Sequence, residues 1–327
     1  MRAHLARRGL AAEVLPHPDF PDAPVNRLRF AVPDPAPRLS VLIPTRDRPD
    51  LLSRCVAALR RTDWPDLEIL IADNGSERPE TLDLLRRLAA DTPGLRVLPR
   101  PGPFNYARLC NDMAAEATGE VLTLMNDDAE PLDPGWARET VPLALRPDIG
   151  CVGARLLFPD GSLQHAGVVL GVGHGAEHMP ALLPPGEPGH FARALPHRRV
   201  AAVTGAVLTI RRTLYAELGG LDAEHLPVTS NDIDLCLKAS AAGLANLHAP
   251  HAVFRHLQSA SRGPDDTPEK RAAFAAANAL MDRRWGLGAW SDPHYSPHLS
   301  DAYPGYAPAR TPRSLAPRLG LPPQRRR

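Results

Sequence analysis

Strand-like and helix-like segments alternate four times between residues 38 and 125, and this alternation constrains the fold more than any other feature. The strand-like segments are short apolar runs at 38–43, 67–72, 95–98 and 121–125. Helical patterns lie between them, near 49–61, 79–90 and 106–117. Such alternation is typical of βαβ units, in which helices cover both faces of a parallel sheet. The sequence therefore predicts an α/β fold with a mostly parallel central sheet flanked by helices.

Polar clusters follow three of these four strands. They are Thr45-Arg46-Asp47, Asp73-Asn74 and Asn126-Asp127-Asp128. In open α/β sheets, ligands bind beyond the carboxyl ends of the strands. Three clusters at the same sheet edge therefore predict a nucleotide-binding cleft.

The remainder of the chain differs in composition and divides it into three parts. Residues 1–37 are rich in proline and predict an irregular lead-in after a short helix. Residues 38–300 are expected to form the main domain, with a nucleotide-binding half at 38–130 and an acceptor-binding and catalytic half at 131–300. Within the second half, 171–199 are rich in Gly, Pro and His and predict a mobile loop over the site. Residues 301–327 predict a disordered basic tail.

Charge and hydropathy exclude several classes of protein. The formal net charge is only +1, so no overall field favours nucleic acid or membrane partners. No apolar stretch reaches the ~18 residues that span a bilayer, and the N-terminus lacks a signal-peptide core. The four scattered cysteines are best interpreted as buried thiols. We expect a cytoplasmic protein, with contact at the inner face of the membrane left open because the tail ends in three arginines.

The residues Asn126-Asp127-Asp128 are the first candidates for chemistry. Adjacent carboxylates repel each other unless a cation or hydrogen-bond donors neutralise them. A divalent ion bridging a diphosphate would do so and would activate a nucleotide leaving group. An Asp-rich turn accounts for the same residues equally well.

Three further sites have alternative interpretations. Asp232 and Asp234 begin a helix that Ser230 and Asn231 are expected to cap, and positions two apart point in different directions. One of the two is a candidate general base, although favourable placement in the first helical turn also explains them. His256 follows a strand and is either a metal ligand or a half-buried side chain. Arg262 is either a phosphate clamp or a solvated side chain.

Taken in order, these motifs closely resemble glycosyltransferase family 2, which has the GT-A fold, and in particular its bacterial rhamnosyltransferase-like branch. The resemblance extends from about residue 37 to 299. It rests on the following motifs: Ile43-Pro44-Thr45, Ala72-Asp73-Asn74-Gly75-Ser76, Phe104-Asn105-Tyr106, Asn126-Asp127-Asp128, Gln164-His165-Ala166-Gly167, Thr204-Gly205-Ala206, Asn231-Asp232-Ile233-Asp234 and His256 with Ser259-Ala260-Ser261-Arg262-Gly263.

The resemblance implies a role for each site residue. Asp232 would be the catalytic base, and Asp128 and His256 would bind a divalent cation, Mn²⁺ or Mg²⁺. Asp73 would contact the pyrimidine base of the donor, and Arg262 would lie near its diphosphate. The remaining residues expected at the nucleotide are Pro44, Thr45, Asp47, Asn105, Asn126 and Asp127. Asn126 replaces the first acid of the family's DxD motif and Asn231 replaces a Glu, which predicts a metal site with less charge.

The resemblance therefore predicts an inverting glycosyltransferase that uses a UDP- or dTDP-sugar and a saccharide or lipid-linked acceptor in surface polysaccharide assembly. Two alternatives are a non-catalytic nucleotide-sugar or carbohydrate-binding module and a sugar nucleotidylyltransferase. The second is disfavoured because the loop Pro44-Thr45-Arg46-Asp47-Arg48-Pro49 lacks the glycines of a triphosphate-binding loop.

Overall fold

A computed structural model describes residues 1–173, 175–257, 267–287, 292–302 and 305–310. Its helices, in chain order, are α1 (Arg2–Arg7), α2 (Pro49–Leu59), α3 (Pro79–Asp91), α4 (Tyr106–Glu116), α5 (Trp136–Ala144), α6 (Arg212–Glu217), α7 (Asn231–Ala241) and α8 (Pro268–Trp285). Its strands are β1 (Ala12–Pro16), β2 (Asn26–Phe30), β3 (Leu39–Thr45), β4 (Leu67–Asp73), β5 (Leu95–Pro99), β6 (Val121–Met125), β7 (Ala129–Pro131), β8 (Ile149–Leu157), β9 (Leu163–His165), β10 (Val168–Leu170), β11 (Ala176–His178), β12 (Arg198–Val200), β13 (Val207–Arg211) and β14 (Ala245–His256).

The central sheet has ten strands, and eight of them run in the order β12-β14-β8-β13-β6-β3-β4-β5. The strands β6, β3, β4 and β5 are parallel, as predicted from the alternation of elements. The antiparallel strand β13 joins this half to β8, which pairs in parallel with β14. The predicted α/β class, with a central sheet flanked by helices, is confirmed.

Strand residues alternate between two apolar layers, one on each face of the sheet. Ile43 and Ile71 face the layer that contains α2 and Trp136 of α5. Leu42 and Leu70 face the other layer, which contains α4 and Cys236 of α7. All four cysteines are free and buried. This double burial explains why β3 and β4 are almost continuously apolar, since strands covered on both faces need apolar side chains on both.

The N-terminal segment is more ordered than predicted. After α1, strands β1 and β2 form an antiparallel ribbon. Arg27 of this ribbon pairs with the buried carboxylate of Glu139 on α5, and Arg146 lies 5.5 Å from the ring centroid of Phe30. The prediction of an irregular lead-in is therefore wrong for residues 12–30. The prolines predict a loop, but contacts with α5, which no local sequence pattern reveals, hold the ribbon in place.

The segment 171–199 and the predicted tail also differ from expectation. The segment 171–199 includes β11, which pairs with β10, and is thus partly ordered. In the predicted tail, Tyr306 is buried and stacks on His190 with ring centroids 4.8 Å apart. The prediction of disorder is therefore wrong for the described part, 305–310, and its remainder at 311–327 lies outside the described residues. Within the described chain, no helix combines the length and hydropathy needed to cross a membrane.

Candidate active site

A cavity of about 1320 Å³ opens at the carboxyl ends of β3 and β6 and at the start of α7. It brings together residues that are far apart in the sequence. Its wall contains Pro44, Thr45, Asp47, Asn126, Asp127, Asp128, Gln164, His178, Gly205, Asp232 and His256. This is the sheet edge at which the sequence predicts a cleft.

Asp128 and His256 meet on one side of the cavity. The Oδ1 atom of Asp128 lies 3.1 Å from Nε2 of His256, and both side chains are buried. The backbone holds them in place, because His256 pairs with Ala129 and Leu257 N donates to the carbonyl of Asp128 at 3.1 Å. Asn126 Nδ2 lies 3.3 Å from the same His256 nitrogen. The two residues that the resemblance places at the metal, Asp128 and His256, are therefore adjacent, and Asn126, expected at the nucleotide, lies beside them.

This arrangement fits a divalent cation. Asp128 Oδ1 is buried and has no hydrogen-bond partner, although His256 Nε2 is close to it. A carboxylate, an imidazole and an amide oxygen are suitable ligands for Mn²⁺ or Mg²⁺. Among the described residues, no group of three or more His, Cys, Asp or Glu side chains is placed to hold a metal alone. The protein would thus supply only part of a coordination shell.

The two adjacent carboxylates make different contacts. Asp127 Oδ2 accepts a hydrogen bond from Thr45 Oγ1 at 2.7 Å, whereas Asp128 faces His256. Burial raises the pKa of Asp127 to about 6, with Asp128 adding to the increase and the Thr45 hydrogen bond opposing it. The repulsion expected between Asp127 and Asp128 is therefore reduced on the Asp127 side, where the Thr45 hydroxyl donates to the carboxylate.

The loops after β3 and β4 are fastened to each other. Asp47, at a φ of 51°, accepts hydrogen bonds from the backbone N–H groups of Glu77 and Arg78 at 3.0 and 2.9 Å. Asp73 Oδ1 accepts from the backbone and hydroxyl of Ser76, at 2.9 and 2.6 Å. Pro44, Thr45 and Asp47 line the cavity, whereas Asp73 is not among the lining residues.

Asn105 has a structural role that differs from the predicted one. Its Oδ1 caps α4 by accepting from Arg108 N at 2.8 Å, and its Nδ2 donates to the carbonyl of Ala223 at 2.8 Å. The side chain is therefore engaged by protein at both ends and is not part of the cavity wall. Nucleotide binding by Asn105 stays a prediction, and the contacts present are those of an N-cap residue, a role in which Asn is common.

Asp232 faces the cavity from the first turn of α7. Its Oδ2 accepts from Gly205 N at 2.7 Å, and its Oδ1 accepts from Ile233 N at 2.8 Å. The same glycine accepts, through its carbonyl, a 2.8 Å hydrogen bond from Tyr106 Oη. A methyl group on Gly205 would lie 3.4 Å from both Asp232 Cβ and Tyr106 Oη, so this position suits a small residue.

Asp234 points away from the cavity, as the helical spacing predicts. It is fully buried and contacts Arg284 Nη1 at 2.8 Å, Trp285 Nε1 at 2.9 Å and Lys238 Nζ at 3.0 Å. Asp234 thus joins α7 to α8, and Asp232 alone of this pair faces the cavity. The helix begins without the predicted side-chain cap, because Ser230 is left-handed at a φ of 62° and makes no capping hydrogen bond.

Arg262, a predicted site residue, and two residues without a predicted role, Gln164 and Tyr106, remain to be placed. Arg262 lies within 258–266, outside the described residues. Gln164 contacts the predicted metal ligand His256, and Tyr106 contacts Gly205, whose N–H donates to Asp232; the resemblance implies no role for either residue. Gln164 is separated from His256 by 92 positions, and Tyr106 from Gly205 by 99. No local spacing could reveal those contacts.

Comparisons with known proteins agree with the fold. Residues 40–169 match the model of the family described as Glycosyl transferase family 2. Over 265 residues (81% of this chain) the sequence is 44% identical to the uncharacterized protein y4gI of Sinorhizobium fredii. Over 300 residues (91% of this chain) it is 40% identical to the O-antigen biosynthesis protein RfbC of Myxococcus xanthus. The matched regions span only 29% and 22% of these two relatives.

A third relative is more distant but closer in length. It is the N-acetylglucosaminyl-diphospho-decaprenol L-rhamnosyltransferase of Mycobacterium tuberculosis, which is 24% identical over 264 residues, 72% of this chain and 81% of the relative.

Two solved structures share the fold. The mannosyltransferase PcManGT from Pyrobaculum calidifontis, in complex with GDP-Man and Mn²⁺, superposes with a TM-score of 0.55 and 20% identity over 76% of this chain and 64% of its own. GalNAc-T7 with UDP, GalNAc and Mn²⁺ gives a TM-score of 0.55 and 18% identity over 67% and 44%. The chain therefore carries a family 2 glycosyltransferase domain with the GT-A fold.

Proposed function

We propose that this domain is an inverting, metal-assisted glycosyltransferase. It would move a sugar from a nucleotide-diphosphate donor, a UDP- or dTDP-sugar, to a saccharide or lipid-linked acceptor in surface polysaccharide assembly. One observation carries the proposal. The Asp128–His256 pair and Asp232 line the same cavity while coming from different elements of the fold. We place the domain boundaries at residues 38–300.

The donor would lie along the ends of β3 and β6. Thr45, Asp47 and Asp127 line this part of the cavity, and Asp47 fixes the loop that contains Glu77 and Arg78. Asp128, His256 and Asn126 would hold a divalent cation beside the diphosphate. When bound, such a cation neutralises the negative charge that develops on the leaving diphosphate. Two similar structures, of other glycosyltransferases, hold Mn²⁺.

Asp232 would act on the acceptor. The acceptor hydroxyl oxygen forms a bond to C1 of the donor sugar while the bond from C1 to the diphosphate oxygen breaks. The hydroxyl proton passes to a carboxylate oxygen of Asp232, and the nucleoside diphosphate departs with the electron pair. Gly205 N and Ile233 N each donate to Asp232, which fixes the carboxylate and leaves further lone pairs for the hydroxyl proton. Attack from the face opposite the diphosphate inverts the anomeric centre.

The segment 171–199 would cover the bound donor. His178, Met179 and Leu182 of this segment already line the cavity, and Leu182 is 76% exposed. Apolar side chains around the reacting atoms exclude water, which would otherwise hydrolyse the donor. The sequence predicts that this segment lies over the site, and the proposal keeps that role, although β11 within the segment pairs with β10.

A thermal-shift titration tests the donor site. The purified protein and its Asp128→Asn variant would be titrated with UDP-, dTDP- and GDP-sugars, each with and without Mn²⁺. We expect one nucleotide to raise the melting temperature of the wild type, more so with Mn²⁺, because ligands stabilise the state they bind. The variant should lose the metal-dependent part of the increase. If no nucleotide sugar raises the melting temperature at millimolar concentration, the proposed function is wrong.

A further inference from the structure

Gln164 uses both ends of its carboxamide on His256. The side chain lies on β9, is 5% exposed, and has Oε1 only 2.6 Å from Nδ1 of His256. Its Nε2 donates to the backbone carbonyl of the same histidine at 3.2 Å.

These two contacts determine which ring nitrogen of His256 carries the proton. A backbone carbonyl can only accept, so the carboxamide atom facing it must be the NH₂ group. The other end is then the carbonyl Oε1, which also only accepts. Nδ1 of His256 must therefore donate, and a neutral ring with its proton on Nδ1 has a lone pair on Nε2, whereas only a doubly protonated ring would donate from Nε2 as well.

The lone pair on Nε2 of His256 faces Asp128 and Asn126, the other residues proposed to hold the cation. Nε2 lies 3.1 Å from Asp128 Oδ1, an acceptor with no hydrogen-bond partner, and 3.3 Å from Asn126 Nδ2. Two acceptors at this separation repel each other unless a cation lies between them. The amide of Asn126 offers its NH₂ group to Nε2 in the metal-free arrangement and would turn its oxygen toward a cation.

We propose that Gln164 is a positioning residue that holds His256 in the Nδ1–H tautomer and thereby presents Nε2 as a ligand for a divalent cation. This inference rests on the proposed metal-assisted function and adds a residue to it. Histidine ligands of metals commonly donate their second ring N–H to a neighbouring acceptor, which fixes the ring and increases its basicity. Here a buried, uncharged amide provides that acceptor.

Two substitutions separate the hydrogen bond from the packing. Gln164→Met keeps the length of the side chain and removes both the acceptor for Nδ1 and the donor to the His256 carbonyl, whereas Gln164→Glu removes the donor and keeps an acceptor of the same shape. Thr209→Val is the matched control. It removes an equally buried hydrogen bond, the 2.9 Å contact between the hydroxyls of Thr209 and Thr123, which lies outside the cavity. Nitrogen-15 NMR of the histidine rings reports the tautomer of His256 without any ligand. Electron paramagnetic resonance measures the dissociation constant for Mn²⁺ in the presence of UDP.

The expected results are specific. Wild-type His256 should carry its proton on Nδ1, and Gln164→Met should lose this preference. The Mn²⁺ dissociation constant should rise by about 10- to 100-fold in Gln164→Met, the range seen when such outer contacts are removed. It should stay within about threefold of the wild type in Gln164→Glu and in Thr209→Val.

Three results would overturn the inference. A wild-type proton on Nε2 would contradict it directly, whatever the metal does. An unchanged Mn²⁺ dissociation constant in Gln164→Met would show that the tautomer does not matter for binding. A wild type that has the Nδ1–H tautomer but binds no Mn²⁺ would instead contradict the proposed metal-assisted function, and with it the role of Nε2 as a ligand.

Discussion

The Oδ1 atom of Asp128 and the Nε2 atom of His256 lie 3.1 Å apart, although 127 residues separate them in the sequence. Asp128 follows β6, and His256 is the last residue of β14. The pair is brought together because β7 and β14 are antiparallel, with His256 opposite Ala129. A carboxylate and an imidazole therefore meet at the wall of the cavity.

Asn126→Asp should strengthen metal binding. The change restores the carboxylate that the family's DxD motif has at this position and removes the amide donor that lies 3.3 Å from His256 Nε2. We expect the Mn²⁺ dissociation constant to fall about tenfold, since a second anionic ligand increases affinity. Isothermal titration calorimetry with UDP present measures this value, and Asn26→Asp on β2 is the control. An unchanged or weaker affinity would show that residue 126 is not a ligand.

Tyr106→Phe should reduce turnover. The hydroxyl that is lost donates to Gly205 O at 2.8 Å, and the N–H of that glycine holds Asp232. Loss of one such hydrogen bond costs about 1 kcal/mol, and a shift of Gly205 would misplace the carboxylate, so kcat should fall about five- to tenfold.

Tyr215→Phe is the matched control for this prediction. It removes a buried hydroxyl that donates to Asn111 Oδ1 at 2.5 Å, away from the cavity. This variant should lose stability but keep the wild-type kcat. Equal kcat values in the two variants would contradict a positioning role for Tyr106.

The sequence predicted the parallel half of the sheet and the cavity edge correctly, because both depend on local patterns. Apolar runs identify β3 and β4, and the polar residues after β6 identify the edge. Contacts such as Gln164 with His256, or Arg27 with Glu139, depend on which distant elements become neighbours. Asn105 shows a different limit of sequence reasoning. It lies within a motif of the resemblance, yet its side chain caps α4.

Acidification should destabilise the protein through buried histidines near the N-terminal ribbon. Burial lowers the pKa of His197 to about 4 and that of His251 to about 3, compared with 6.5 for an ordinary histidine. The charge of Arg27 contributes to the decrease for His197, and those of His197 and then Arg27 contribute to the decrease for His251. The unfolded chain therefore binds more protons as the pH falls below about 6.5.

The stabilisation that the two neutral histidines contribute is thus fully present above pH 6.5. It is lost as the pH falls, toward pH 4 for His197 and toward pH 3 for His251. His197 should account for up to about 2 kcal/mol of lost stability at pH 5, from about 1.5 pH units at 1.36 kcal/mol each, and the partly exposed His251 should account for less. Urea unfolding at pH 7.5 and pH 5 measures the difference, and His197→Phe should make it smaller because phenylalanine takes up no proton. An equal loss in this variant would exclude His197 as a source of the pH dependence.

Asp127→Asn should stabilise the metal-free protein at neutral pH. Since the pKa of Asp127 is raised to about 6 in the folded state, keeping its carboxylate ionised at pH 7 costs free energy. The asparagine still accepts from Thr45 and carries no charge. We expect the free energy of unfolding at pH 7 to rise by about 1–3 kcal/mol, and the gain to shrink below pH 6 and vanish near pH 4. A gain that does not change with pH would contradict this explanation.

The assignment of Asp232 as the base is the central claim, and sugar transfer by the Asp232→Asn variant tests it most directly. Product formation from the donor that binds the wild type would be followed by mass spectrometry with a panel of saccharide and lipid-linked acceptors, alongside donor binding by thermal shift. We predict that the variant binds the nucleotide sugar and Mn²⁺ like the wild type but transfers sugar at least a thousandfold more slowly, since an amide cannot take the hydroxyl proton. Transfer by Asp232→Asn at the wild-type rate would show that the base is another residue.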